Sequence, residues 1–158
     1  MNSVLLLLHV LSAFWFVTGL FARNLTLSRA ARSERIDTLQ QFLDLSGTFE
    51  KKMVIPGSQA VLAFGVILVF SSGYRFAGAG SNWILVSLIL FATVALLVPA
   101  VFLPKGKQFD RLLVEATKRG EVTPELKAAF ADRAVRRAHI WEIGVVVAII
   151  VLMVTKPF

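Results

Sequence analysis

Four apolar runs, each close to the length that crosses a bilayer, constrain this chain more than any other feature. They cover residues 3–22, 54–72, 83–103 and 139–155. A hydrocarbon core is spanned by roughly 20 apolar residues in a helix, at ~1.5 Å rise each. In lipid the backbone must satisfy its own hydrogen bonds, so each run is expected to be a helix. None alternates in polarity as the strands of a membrane barrel do. The expected fold class is therefore all-α. It is a polytopic four-transmembrane-helix bundle in the lipid bilayer, one membrane domain over residues 1–158 with helical extensions at 23–53 and 104–138.

Composition narrows the function. The chain has no cysteine, which excludes a disulfide framework, a thiolate metal site and a cysteine nucleophile. The net charge of +7 would suggest nucleic acid in a soluble protein. Here the basic residues alternate with the apolar runs, so a topological reading takes precedence and no nucleic-acid partner is expected. The first run is expected to be retained rather than cleaved. Nothing before Arg23 is basic, the run exceeds a signal core in length, and Leu20-Phe-Ala-Arg23 is a poor cleavage site.

Between the first two runs, Leu25, Leu39, Phe42, Leu43 and Leu45 suit an amphipathic helix, with Gly47 expected to break it. Pro56 suits the first turn of the second run, where its missing N–H costs nothing. The segment Gly73–Asn82 is glycine-rich and reads as a tight turn, with Gly78-Ala-Gly80 inside it. Tyr74 and Trp83 beside it favour a membrane–water boundary. Pro99 and Pro104 are expected to close the third run. Gln108–Arg119 reads as a helix ended by Gly120, and Thr123-Pro124-Glu125 as a helix start. No breaker follows before Gly144, so one helix of roughly 30 residues is expected from Pro124 into the fourth run.

Six basic residues lie between the first and second runs and nine between the third and fourth, 15 of the chain's 17; Arg75 and Lys156 are the others. The positive-inside rule then places both basic connections in the cytoplasm and both termini outside. The same charges also admit a surface for anionic lipid or an acidic partner.

Ionisable groups inside the runs are costly and therefore lead to function. His9 shares a helical stripe with Ser12, Phe16, Gly19 and Arg23. Small residues mark helix contacts in lipid, so His9 is expected to face the bundle. It is either a neutral imidazole bonded to a neighbouring helix, or a haem ligand, quinone contact or proton carrier. His139 and Glu142 share a face of the fourth run, and Gln59 lies at a similar depth in the second. A Gln59–Glu142 hydrogen bond is expected; the sharper alternative is a proton or cation site with Glu142 as its charge. His9 and His139 should lie ~20 Å apart in depth, too far to share one iron. No phosphate loop, zinc-protease signature or nucleophile triad occurs, and no metal site is expected.

Leu8-His-Val-Leu-Ser-Ala-Phe-Trp-Phe-Val-Thr-Gly-Leu20, Phe49-Glu-Lys-Lys-Met-Val-Ile-Pro56 and the basic helix feeding the fourth run resemble an uncharacterised bacterial family. Its members are four-span predicted integral membrane proteins with a domain of unknown function. The resemblance implies a bacterial plasma (inner) membrane protein and supplies no activity; the periplasmic placement of the termini rests on the basic residues alone. The first run is also distantly similar to four-span membrane protoporphyrinogen oxidases and CopD-type domains, which implies His9 as a haem ligand. The chain departs from the oxidase pattern, with no histidine in Trp83-Ile-Leu-Val-Ser87 and no lysine beside His9.

Three functions follow as expectations. The first is a non-enzymatic accessory or scaffolding subunit, partnered by other membrane-complex subunits or by a second copy. The second is a haem-binding or redox protein using His9. The third is a small transporter or channel using Glu142 and Gln59.

Overall fold

The computed structural model describes residues 3–78 and 80–157. Ala79, in the expected glycine-rich turn, and the extreme ends of the chain lie outside them.

Helix α1, Ser3–Ala31, runs well past the first apolar run. No glycine or proline follows Gly19 within it, and Leu, Ala and Arg carry the helix onward. Its 29 residues make ~44 Å, more than the ~30 Å of hydrocarbon, so its last turns project beyond the lipid.

Helix α2, Ile36–Phe49, passes through a π-helical turn, Glu50–Val54, into α3, Ile55–Ser71. Gly47 does not break α2, contrary to expectation. A glycine inside a helix costs only about 1 kcal/mol relative to alanine, which packing offsets. The disturbance comes from Pro56. Proline has no N–H to give the carbonyl four residues back, and its ring crowds that carbonyl. The π turn relieves the crowding: Ile55 N–H bonds to the carbonyl of Glu50, five residues back. The carbonyl of Lys52, deprived by Pro56, instead accepts from the Trp15 indole N–H of α1 at 3.1 Å.

Helix α4, Asn82–Leu97, likewise continues through a π turn, Val98–Phe102, into α5, Leu103–Arg119. Pro99 and Pro104 therefore do not close this helix. Leu103 N–H bonds back to Val98, and such local π adjustment lets helices in lipid carry proline. Gly120 does end α5, in the left-handed region at φ 72°.

Thr123 caps α6, Pro124–Phe130, by accepting from Leu126 N–H. The single helix expected from Pro124 onward is broken at Ala131–Asp132. The Asp132 carboxylate accepts from the N–H groups of Ala134 and Val135, at 2.8 and 3.2 Å, and starts α7, Arg133–Thr155. Aspartate is a strong cap and competes with continuation of the helix.

Four of these helical stretches are long and apolar enough to cross a membrane. Helix α1 packs against α2 and α3, and α4 packs against α7. Phe16, Leu20, Val54 and Val146 join the two halves. Ala30, Ile36, Leu39, Ala116 and Leu126 form a separate small core among the polar ends of the helices. The α1–α3 contact is close because its residues are small: a Cβ on Gly19 would lie 2.6 Å from that of Met53, and one on Gly57 3.0 Å from the Phe16 backbone. Large apolar side chains such as Phe14, Phe70 and Val154 point outward, as lipid, rather than water, requires.

Candidate functional site

Two arrangements stand out, one at each end of α1. Near its polar end lies a buried ion cluster. Arg23 is only 7% exposed. Its Nη1 donates to the Glu50 carboxylate at 2.6 Å, and its Nη2 donates to the Glu142 carboxylate. Glu50 stands on the first π turn and Glu142 on α7, so one guanidinium ties three segments together. His139 Nδ1 lies 3.3 Å from the same Glu142 oxygen and 3.4 Å from Arg23 Nη2. That nitrogen serves one partner at a time. With a proton it donates to Glu142; without one it accepts from Arg23. The Phe102 ring, from the second π turn, covers the imidazole with centroids 4.8 Å apart. Arg23 Nε is buried with no hydrogen-bond partner among the described residues.

His139 and Glu142 share a face as expected, but Glu142 pairs with Arg23 rather than with Gln59. Gln59 is exposed on α3, and no hydrogen bond joins it to Glu142 among the described residues. In the sequence Arg23 ends the first run and counts among the basic residues of the first connection, with no partner assigned to it. A signal for its role was present: Arg23 belongs to the inward stripe of His9, Ser12, Phe16 and Gly19.

Toward the other end of α1, His9 Nδ1 donates to the Val61 carbonyl of α3 at 3.0 Å. A carbonyl only accepts, so Nδ1 carries the hydrogen, and in the neutral imidazole Nε2 keeps its lone pair. Nε2 has no hydrogen-bond partner among the described residues. Gly65 makes room for the ring, since a Cβ there would lie 3.0 Å from Cε1. The imidazole lines a cavity of about 290 Å³ whose walls include Val69, Trp83, Ile84, Phe91 and Met153. These walls are apolar. The Ser87 hydroxyl in the lining is spent on the Trp83 carbonyl at 2.7 Å. The Lys156 ammonium, also in the lining, stands 5.9 and 5.5 Å from the ring centroids of Tyr74 and Trp83. The lining has room for an apolar group, and the neutral imidazole offers one nitrogen lone pair to it.

The two arrangements are separate. His9 and Arg23 are fourteen residues apart on one helix, ~21 Å. His139 touches the Arg23 guanidinium, so one iron cannot bridge the histidines. Of the two histidines, only His9 would be available to a metal-bearing group in its cavity. No group of three or more His, Cys, Asp or Glu that would hold a metal ion occurs among the described residues.

No curated protein and no solved structure matches this chain. A family model described as predicted integral membrane protein (DUF2269) matches residues 3–157. With a match over nearly its whole length and four apolar helices of spanning length, this chain is a multi-pass integral membrane protein of the DUF2269 family, whose function is unknown.

Proposed function

We propose that the protein holds a lipophilic, hydroxyl-bearing ring compound of the quinol class beside His9, as a non-enzymatic accessory subunit of a larger membrane complex. The observation that carries this reading is the His9 Nε2 lone pair, unpartnered among the described residues, on a ring that lines an apolar cavity. A hydroxyl on the ligand satisfies that nitrogen, and the aromatic walls at Trp83 and Phe91 suit a flat ring. The ion cluster supports an architectural role for Glu142, because its carboxylate is committed to Arg23 and His139.

The test is extraction of the protein in a mild detergent, followed by identification of its bound small molecules and co-purifying proteins. A quinol, recovered as such or as the quinone that air forms from it during extraction, retained by wild type and lost in His9→Phe is the expected result, together with a defined protein partner. A second reading, a haem held by Nε2, is favoured by the same lone pair. It predicts a Soret band that His9→Ala abolishes. A colourless protein carrying no lipophile contradicts both.

The distribution of basic residues supports a plasma-membrane orientation with both basic connections in the cytoplasm. Ser81 is buried and unsuited to labelling, whereas Ala77 on the same connection is exposed. An Ala77→Cys variant should react with an impermeant reagent from outside the cell. Reaction only from the cytoplasmic side contradicts the orientation.

A further inference from the structure

A second cavity, of about 770 Å³, lies where the polar end of α1 meets α5, α6 and α7. Its lining mixes two chemistries. Phe109, Ile140 and Ile143 are apolar, whereas Arg32, Lys105 and Arg136 bring three positive charges to the same space. The single carboxylate in the lining, Asp132, is paired with Lys105 at 2.7 Å. Arg32 and Arg136 have no ion-pair partner among the described residues, and both are exposed. The cavity lining therefore combines two guanidinium groups that lack an ion pair among the described residues with apolar side chains, where α7 passes from polar to apolar sequence.

We propose that this cavity binds an anionic phospholipid, the phosphate between Arg32 and Arg136 and the acyl chains along Ile140 and Ile143. Charge complementarity selects the headgroup, because guanidinium forks match phosphate oxygens in pairs. The apolar side chains beside the charges select a lipid over a soluble anion. The site is distinct from the His9 cavity, which lies toward the opposite end of α1, and does not depend on what that cavity holds.

The experiment is native mass spectrometry of the full chain, released from bilayer discs of phosphatidylcholine with increasing phosphatidylglycerol. Wild type should retain phosphatidylglycerol in preference to phosphatidylcholine. The Arg32→Gln/Arg136→Gln variant should weaken that retention roughly tenfold or more, at ~1 kcal/mol per basic residue near an anionic surface. An Arg111→Gln/Lys118→Gln variant, which removes the same charge away from the cavity, should change it less than about twofold. Equal losses in the two variants, or equal retention of the two lipids by wild type, overturn the proposal. Full displacement of phosphatidylglycerol by millimolar inorganic phosphate also overturns it and assigns the cavity to a soluble anion. Should the arginine variant not fold, the wild-type preference and its weakening with salt decide the matter.

Discussion

Arg23 is the residue on which the packing of the polar half depends. A buried ion pair gains little over an apolar replacement, but losing one partner strands the other charge in a poor solvent. Arg23→Ala strands Glu142 and is expected to cost about 3–5 kcal/mol in detergent unfolding experiments. Glu142→Gln in the Arg23→Ala background should recover part of that loss, since it removes the stranded charge. A cost no greater than that of an exposed arginine contradicts the burial of this group. At the other end, Gly65→Ala places a methyl 3.0 Å from the His9 ring and should displace it from Val61. The expected outcome is lost ligand retention with little change in stability. Arg23 shows why part of the site stayed illegible in the chain. A stripe on one helix can show that a charge points inward. It cannot show which charge on another helix meets it, because Glu50 and Glu142 are 27 and 119 residues away.

Among the elements, the two proline-bearing helices carry the most information. Prolines 56, 99 and 104 read as boundaries because in water a helix ends where its carbonyls lose partners. In lipid those carbonyls find other donors, so the helices bulge and continue. Trp15→Phe removes the donor to the Lys52 carbonyl and should cost about 0.5–1.5 kcal/mol. In a Pro56→Ala background residue 56 regains its N–H, and the Trp15→Phe cost should shrink. Additive costs in that cycle contradict the compensation. The π turn at Glu50–Val54 also carries Glu50 to Arg23, so Pro56→Ala should loosen that ion pair as well.

Asp132 sets the other unforeseen boundary. The Lys105 ammonium and the N–H groups of Val135 and Ala134 hold its carboxyl below its ordinary value of 3.8. The folded state therefore binds its proton less readily than the unfolded state. The resulting stability is present above the unfolded value and is lost as pH falls through the lower folded one. Asp132→Asn keeps a cap and should flatten this acid dependence, whereas an unchanged acid limb contradicts the pairing with Lys105.

For the whole molecule, the four apolar runs were legible because lipid admits few backbone solutions, and each became a helix of spanning length. Gly120 and Thr123 were legible as well, since a left-handed glycine and a threonine cap act locally. What escaped was non-local. It includes the contact of Gly57 with Phe16, the closing of a cavity around His9 by α3, α4 and α7, and the gathering of basic residues at the polar end. The stripe on α1 points His9 inward, but its nitrogen left unpartnered among the described residues and the apolar walls around it exist only once the helices are assembled. The most direct test of the proposed function is the amount of bound lipophile per purified chain, compared between wild type and Gly65→Leu, which fills the cavity from α3. The account predicts near-stoichiometric quinol, or the quinone that air forms from it on extraction, in wild type and little in the variant, with both proteins folded. Equal amounts in the two, or none in either, contradict it.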